Sequence, residues 1–226
     1  KERTDEYWHN HFSTVGIIGM NEALLNLLDV DITSEEGREF SVEVMNYLRD
    51  ALKDAQDETG HVYNLEATPA EGTAYRLAKL DRDRYPDIIT AGNEIPYYTN
   101  STQVPVGLTD DIFQVLDLQD DLQSLYTGGT VLHLYLGESV EDIESCKSLL
   151  RKAFENYNLP YISITPTFSI CDEHGYLRGE QFSCPDCARD TEVWSRVTGY
   201  LRPVANYNRG KRQEYTDRVK FRLPGG

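Results

Sequence analysis

Four potential metal ligands fall within seventeen residues, and nothing else in the 226-residue sequence restricts folding so tightly. They are Cys171, His174, Cys184 and Cys187, spaced as C-x2-H, nine residues, then C-x2-C. Each x2 spacing lets two donors face one point, and two such knuckles complete a tetrahedron, the arrangement zinc favours. Redox or iron–sulfur use draws on similar residues, but a histidine beside three thiols in two knuckles favours a closed structural zinc. Four protein ligands leave no open position, so no Lewis-acid chemistry is expected there. Zinc bound in this way supplies roughly 10–16 kcal/mol of apparent binding energy toward folding a loop-rich module. Cys146 stands apart on an amphipathic stretch and reads as a passive thiol. This usage points to metal rather than disulfides, as in an intracellular chain, and a cytoplasmic location is expected.

Before the cluster, strand and helix patterns alternate. Val15 to Leu25 runs from a buried strand or turn into a helix. Thr33 and Glu36 have capping-box spacing. Phe40, Val44, Leu48 and Leu52 then recur at i, i+4, which predicts a helix to about Asp57, ended by Gly60. Val62–Ala67 reads as a strand, followed by a short Thr/Gly loop and a helix from Tyr75 to about Leu80. Further helices are predicted over Asp110–Leu125 and Val140–Asn156, the latter with Ile143, Leu149, Leu150, Ala153 and Phe154 inward. Between them lies a strand apolar on both faces, as in a parallel sheet, with His133 inside it as a core residue. Tyr161–Pro166 is the next strand, and a last helix runs to about Val219. The alternation predicts an α/β fold with a parallel sheet or barrel.

Two regions invite ligands. The strand–loop–helix at 62–80 aims free backbone N–H groups and a helix dipole at one spot, which suits a phosphate. The donors would be the amides of Gly72, Thr73 and Ala74 with the Thr73 hydroxyl; an ordinary helix start is the alternative. His9 and His11 alternate without a third ligand, a weak metal pattern. A net charge of −16 argues against a nucleic-acid surface, which needs clustered cations. No run approaches 18 apolar residues, so no membrane span is expected, and the charged start suggests no signal peptide. Seven lysines and fifteen arginines against 38 acids suit either a salt-loving protein or an ordinary acidic one.

The cluster is followed by Arg196-Val197-Thr198-Gly199-Tyr200. A lone glycine after a strand is usually a turn or a close approach of backbones. In this context the pentapeptide resembles the radical-bearing loop of glycyl radical enzymes. Ala67-Thr-Pro-Ala-Glu-Gly-Thr73, Tyr98-Thr-Asn-Ser101, Thr127-Gly-Gly-Thr-Val-Leu-His133 and Asn208-Arg-Gly-Lys211 are similar to stretches of anaerobic (class III) ribonucleotide reductases. The resemblance implies the second half of a ten-stranded α/β barrel over 1–165, a zinc module over 166–192, and a radical loop with a terminal helix over 193–226. It implies a radical on Gly199, buried by Val197, Tyr200 and Leu201, and a substrate-phosphate loop at Gly72, Thr73 and Ala74. The family often carries four cysteines at the metal site, from which His174 departs. Its reaction passes the radical to a cysteine that abstracts the ribose 3'-hydrogen, and none of the four cysteines here lies in a matching motif. The chain is therefore expected to be a C-terminal fragment or split subunit, inactive without an N-terminal portion. The implied partners are that portion, a radical S-adenosylmethionine activase, a ribonucleoside triphosphate and a second copy of the complete enzyme. A pyruvate formate-lyase-like enzyme and a non-enzymatic zinc-stabilised interaction module are the other readings.

Overall fold

The computed structural model describes residues 11–140, 142–197 and 199–221, so His9 lies outside the described residues. Strand β1 (Phe12–Gly16) leads through α1 (Met20–Leu28) and α2 (Glu35–Thr59) to β2 (Val62–Glu66), which pairs with β1 in parallel. After α3 (Glu71–Arg84) and α4 (Ile112–Ser124), β3 (Leu132–Leu136) and β4 (Ile162–Pro166) form a second parallel pair around α5 (Ile143–Asn156). The two pairs are stitched together ahead of β3. The Thr127 and Gly128 amides donate to the Leu65 carbonyl, and the Ala67 amide donates to Gly129. Helical crossovers between parallel strands are the α/β pattern that the alternation predicts.

The last third is different. Strands β5 (Phe168–Cys171), β6 (Gly175–Arg178), β7 (Glu192–Val197) and β8 (Tyr200–Pro203) form an antiparallel sheet in the order β6-β5-β7-β8, followed by α6 (Arg209–Asp217). The segments expected as separate metal and radical parts thus contribute two strands each to one sheet.

Side-chain chemistry sets the element boundaries, with some differences from the sequence pattern. The cap of α2 is Ser34, not Thr33: Ser34 Oγ accepts from the Gly37 amide at 3.0 Å, while Thr33 bonds Asp31 instead. Gly60, at φ 68°, ends the helix in the left-handed region as expected. Helix α3 begins at Glu71, four residues before Tyr75, and runs on to Arg84. On α5 only Leu149 and Ala153 are buried, and Ile143 and Phe154 point outward. Strand β1 is exposed along its length because β2 is its one paired neighbour among the described residues.

The main core joins Leu24, Leu116, Leu122, Leu134 and Leu149, packing α1, α4 and α5 against β3. A second core holds Val193 and Val197 of β7 against Tyr207 and Tyr215. Beside it lies a buried ionic group. Glu214 is paired with Lys211 and, at 2.8 Å, with Arg218. The Arg218 guanidinium also lies 3.8 Å from the centre of the Tyr135 ring. Burial alone would raise the Glu214 carboxyl, but Lys211 and Arg218 overcome it and hold the group at about 2. Its stabilisation is therefore present above the ordinary carboxylate range and is lost as pH falls toward 2. Glu214→Gln leaves two buried cations unpaired, and a loss of about 3–5 kcal/mol is expected at neutral pH by denaturant titration. The difference from the parent should shrink as pH falls toward 2; a difference independent of pH would contradict this account.

Candidate functional site

The sheet itself assembles the metal cluster. Strands β5 and β6 pair Cys171 with Gly175, so residues 172–174 form a three-residue turn. Gly175, at φ 73°, supplies the left-handed residue such a turn needs. This folds His174 back over Cys171. In the second knuckle the Cys184 amide donates to the Arg189 carbonyl, and the Ala188 amide to the Cys184 carbonyl, both at 2.8 Å. A bridge between Ser183 and Asp190 closes the loop.

All four ligand atoms lie within 4.8 Å of one another. Cys171 Sγ is 3.7 Å from both His174 Nδ1 and Cys187 Sγ, and Cys184 Sγ is 3.6 Å from His174 Nδ1. A tetrahedral zinc with bonds of about 2.0–2.3 Å has donor–donor edges of roughly 3.5–3.8 Å, so the donor set fits such an ion. The thiols form no disulfide. Amide N–H groups of His174 and Glu173 draw the Cys171 thiol down to about 6, toward the thiolate that metal binding requires. The group can hold a metal such as zinc.

From this cluster β7 runs directly to the glycine. Strands β7 and β8 pair Val197 with Tyr200, which places Gly199 in a two-residue connection. The Gly199 carbonyl accepts from Arg196 Nη1 at 2.8 Å, and Arg196 Nε donates to Thr165 Oγ1 of β4 at 3.0 Å. A Cβ added at Gly199 would meet nothing within 4 Å, and its φ lies outside the left-handed region. Neither a close approach nor a strained turn therefore accounts for glycine at this position. The expected burial is only partly met. Val197 is buried, but Tyr200 and Leu201 are 64% and 44% exposed because β8 is the edge of the sheet.

The first turn of α3 lies next to this hairpin. Glu71 Oε2 is 3.8 Å from Arg202 Nη1 of β8. The Gly72 and Thr73 amides take no backbone or side-chain acceptor among the described residues, as their place in a first turn implies. Ala74 is buried and its amide donates to Ala70 at 2.9 Å, so it is not available with them. The third expected donor is lost because α3 starts at Glu71. His133 on β3 is bonded through Nδ1 to Ser163 Oγ at 2.5 Å. Burial, then the charges of Arg196 and Arg218, push its imidazole down to about 4, leaving it neutral at physiological pH.

The profile of the anaerobic ribonucleoside-triphosphate reductase family matches residues 1–221. The chain belongs to that family. The anaerobic ribonucleoside-triphosphate reductase of Haemophilus influenzae is 26% identical over 220 residues, covering 92% of this chain and 31% of the relative. A solved anaerobic ribonucleotide reductase superposes with a TM-score of 0.78 at 25% identity, over 95% of this chain and 35% of its own. The anaerobic ribonucleotide reductase of Thermotoga maritima, with MES in the active site, gives 0.71 at 25% identity over 87% and 33%. The chain thus spans about a third of the relatives it matches, and its fold is that of these α/β-barrel reductases.

Two of the reductase-like motifs that sequence reasoning left without a role are structural joints. In Tyr98–Ser101, the Thr99 amide and hydroxyl donate to the buried carboxylate of Glu22 at 2.9 and 2.6 Å. The Gly19 and Met20 amides donate to the Thr99 and Ser101 carbonyls, so this segment caps α1. In Asn208–Lys211, Asn208 accepts from the Lys211 amide and donates to the Glu71 carbonyl, both at 2.9 Å. Gly210 lets α6 close on α3, because a Cβ there would sit 2.6 Å from Tyr75 Cβ. A glycine two residues after a capping asparagine is a signal that sequence reading could have used.

The donor geometry predicts one zinc ion per chain. Cys184→Ser should lose that ion, measured by elemental analysis, and should melt the 171–191 segment first by amide hydrogen exchange. Unchanged metal content would remove Cys184 from the ligand set.

Proposed function

We propose that this chain is the C-terminal, radical-bearing third of an oxygen-sensitive reductase that converts ribonucleoside triphosphates to 2'-deoxyribonucleotides. The observation that carries the reading is the contact between the first turn of α3 and the Gly199 hairpin through Glu71 and Arg202. It brings the first turn of α3, which carries Gly72 and Thr73, against β8, the strand that follows a glycine that packing does not require. In this reading residues 1–165 supply the second half of the barrel, 166–192 the zinc module, and 193–226 the radical loop and terminal helix.

Each residue then has a defined task. Gly199 loses a hydrogen atom from Cα to a radical S-adenosylmethionine activase. Glycine is needed because a Cβ would crowd a planar radical centre. The Gly72 and Thr73 amides and the Thr73 hydroxyl hold the triphosphate at the positive end of α3. Cys171, His174, Cys184 and Cys187 hold zinc, which supplies folding energy and fixes the sheet from which the hairpin projects. A cysteine must then take the radical, abstract the ribose 3'-hydrogen and allow the 2'-hydroxyl to leave as water, with formate or a small redox protein supplying the two electrons of the reduction. Cys171, Cys184 and Cys187 face the metal, and Cys146 lies on α5, so that cysteine belongs to the N-terminal portion. A cavity of about 60 Å³ bounded in part by Tyr97, His133 and Lys211 is too small for a nucleotide, so the substrate pocket also needs that portion. The complete enzyme works as a cytoplasmic homodimer. Exposed Tyr200 and Leu201 are the apolar surface that the rest of the barrel covers.

Anaerobic activation with the activase and the N-terminal portion, followed by air and mass spectrometry, tests the reading. Cleavage at Gly199, releasing a piece of about 27 residues, is the expected result. Gly199→Ala should change stability by no more than about 0.5 kcal/mol and should not be cleaved. A folded, zinc-loaded parent that stays whole would overturn the proposal.

A further inference from the structure

We propose that Arg196 is a positioning residue for the Gly199 radical, acting through a guanidinium bridge from Thr165 of the parallel sheet to the Gly199 carbonyl. The inference rests on the radical reading of Gly199 and adds the group that holds and polarises it.

The geometry is a two-ended clamp. Arg196 Nε donates to Thr165 Oγ1 at 3.0 Å, and Nη1 donates to the Gly199 carbonyl at 2.8 Å. Thr165 is only 1% exposed, so the anchor is fixed in the interior. The backbone of Arg196 is pinned as well: its carbonyl accepts from Arg218 Nη1 at 3.1 Å, and Arg218 is locked by Glu214 and the Tyr135 ring. An exposed glycine at the tip of a hairpin would otherwise rock freely. Here its carbonyl direction is set by a planar, permanently charged fork with little freedom to turn.

The chemistry gives that clamp a purpose. A radical at a backbone Cα is stabilised when the flanking amide nitrogen donates electron density and the flanking carbonyl withdraws it, which requires the two groups to be coplanar with the centre. A charge-assisted hydrogen bond to the carbonyl oxygen strengthens the withdrawal and holds the plane. No bond is made or broken by Arg196; Gly199 gives up its hydrogen atom in the activation step and takes one from the thiol when the cysteine accepts the radical. A lysine keeps the charge but cannot span both acceptors.

The test uses the chain with its N-terminal portion and activase, and compares the parent with Arg196→Lys and Thr165→Val. Thr165→Val leaves the Arg196–Tyr200 motif intact, so it separates positioning from recognition of the motif by the activase. Both variants should form a radical that decays about tenfold faster under anaerobic conditions, the effect expected for loss of a charge-assisted bond. Their high-field electron paramagnetic resonance spectra should show a shifted g tensor, since g reports hydrogen bonding at the carbonyl oxygen. If Arg196→Lys forms no radical, Thr165→Val alone decides. Parent-like decay and g values in every variant that forms a radical would overturn the proposal. A parent that forms no radical overturns it together with the assignment of Gly199.

Discussion

Glu214 sits between two cations in the interior, and much of the C-terminal structure leans on that arrangement. Lys211 and Arg218 flank it on and just beyond α6. Arg218 reaches from there to the Tyr135 ring on β3 and the Arg196 carbonyl on β7. A carboxylate without cations would not remain ionised at this depth, and the cations without it would be more costly still. The group therefore behaves as a single joint that fixes the antiparallel sheet and terminal helix against the parallel strands. Asn208 and Gly210 complete the joint on the side of α3.

The metal cluster acts at the opposite end of the same sheet. Its ligands come from the β5–β6 turn and the loop before β7, where hydrophobic burial is sparse. Zinc would supply the cohesion that apolar packing does not, and β7 carries the resulting rigidity to the hairpin. The ionic joint and the cluster thus hold β7 from both ends, with Gly199 just beyond it.

Much of this was legible in the sequence because the signals were local. Four ligands at knuckle spacing, the i, i+4 stripe of α2 and the alternation of strand and helix each reduce to residue type and interval. What was missed depends on distant partners. Nothing near Thr165 in sequence indicates that Arg196 will reach it, and Glu22 reads as an ordinary helix acid until Thr99 is placed against it. The antiparallel sheet escaped because its strands are four to six residues long and interrupted by the metal loop. Ile143 and Phe154 looked like core residues because amphipathic spacing marks an apolar face without saying which molecule will cover it.

The position of Gly199 along the chain has a consequence for damage. Everything after it, including β8, Lys211, Glu214 and Arg218, is joined to the remainder by a single peptide thread at the hairpin. Oxidative scission there would do more than quench an unpaired electron. It would convert a covalent joint into a docked peptide, retained by sheet pairing, the packing of Tyr207 and Tyr215 on β7, the Asn208 contact with α3 and a buried charge triplet. The fit of α6 in its seat would then decide whether the cut chain stays assembled.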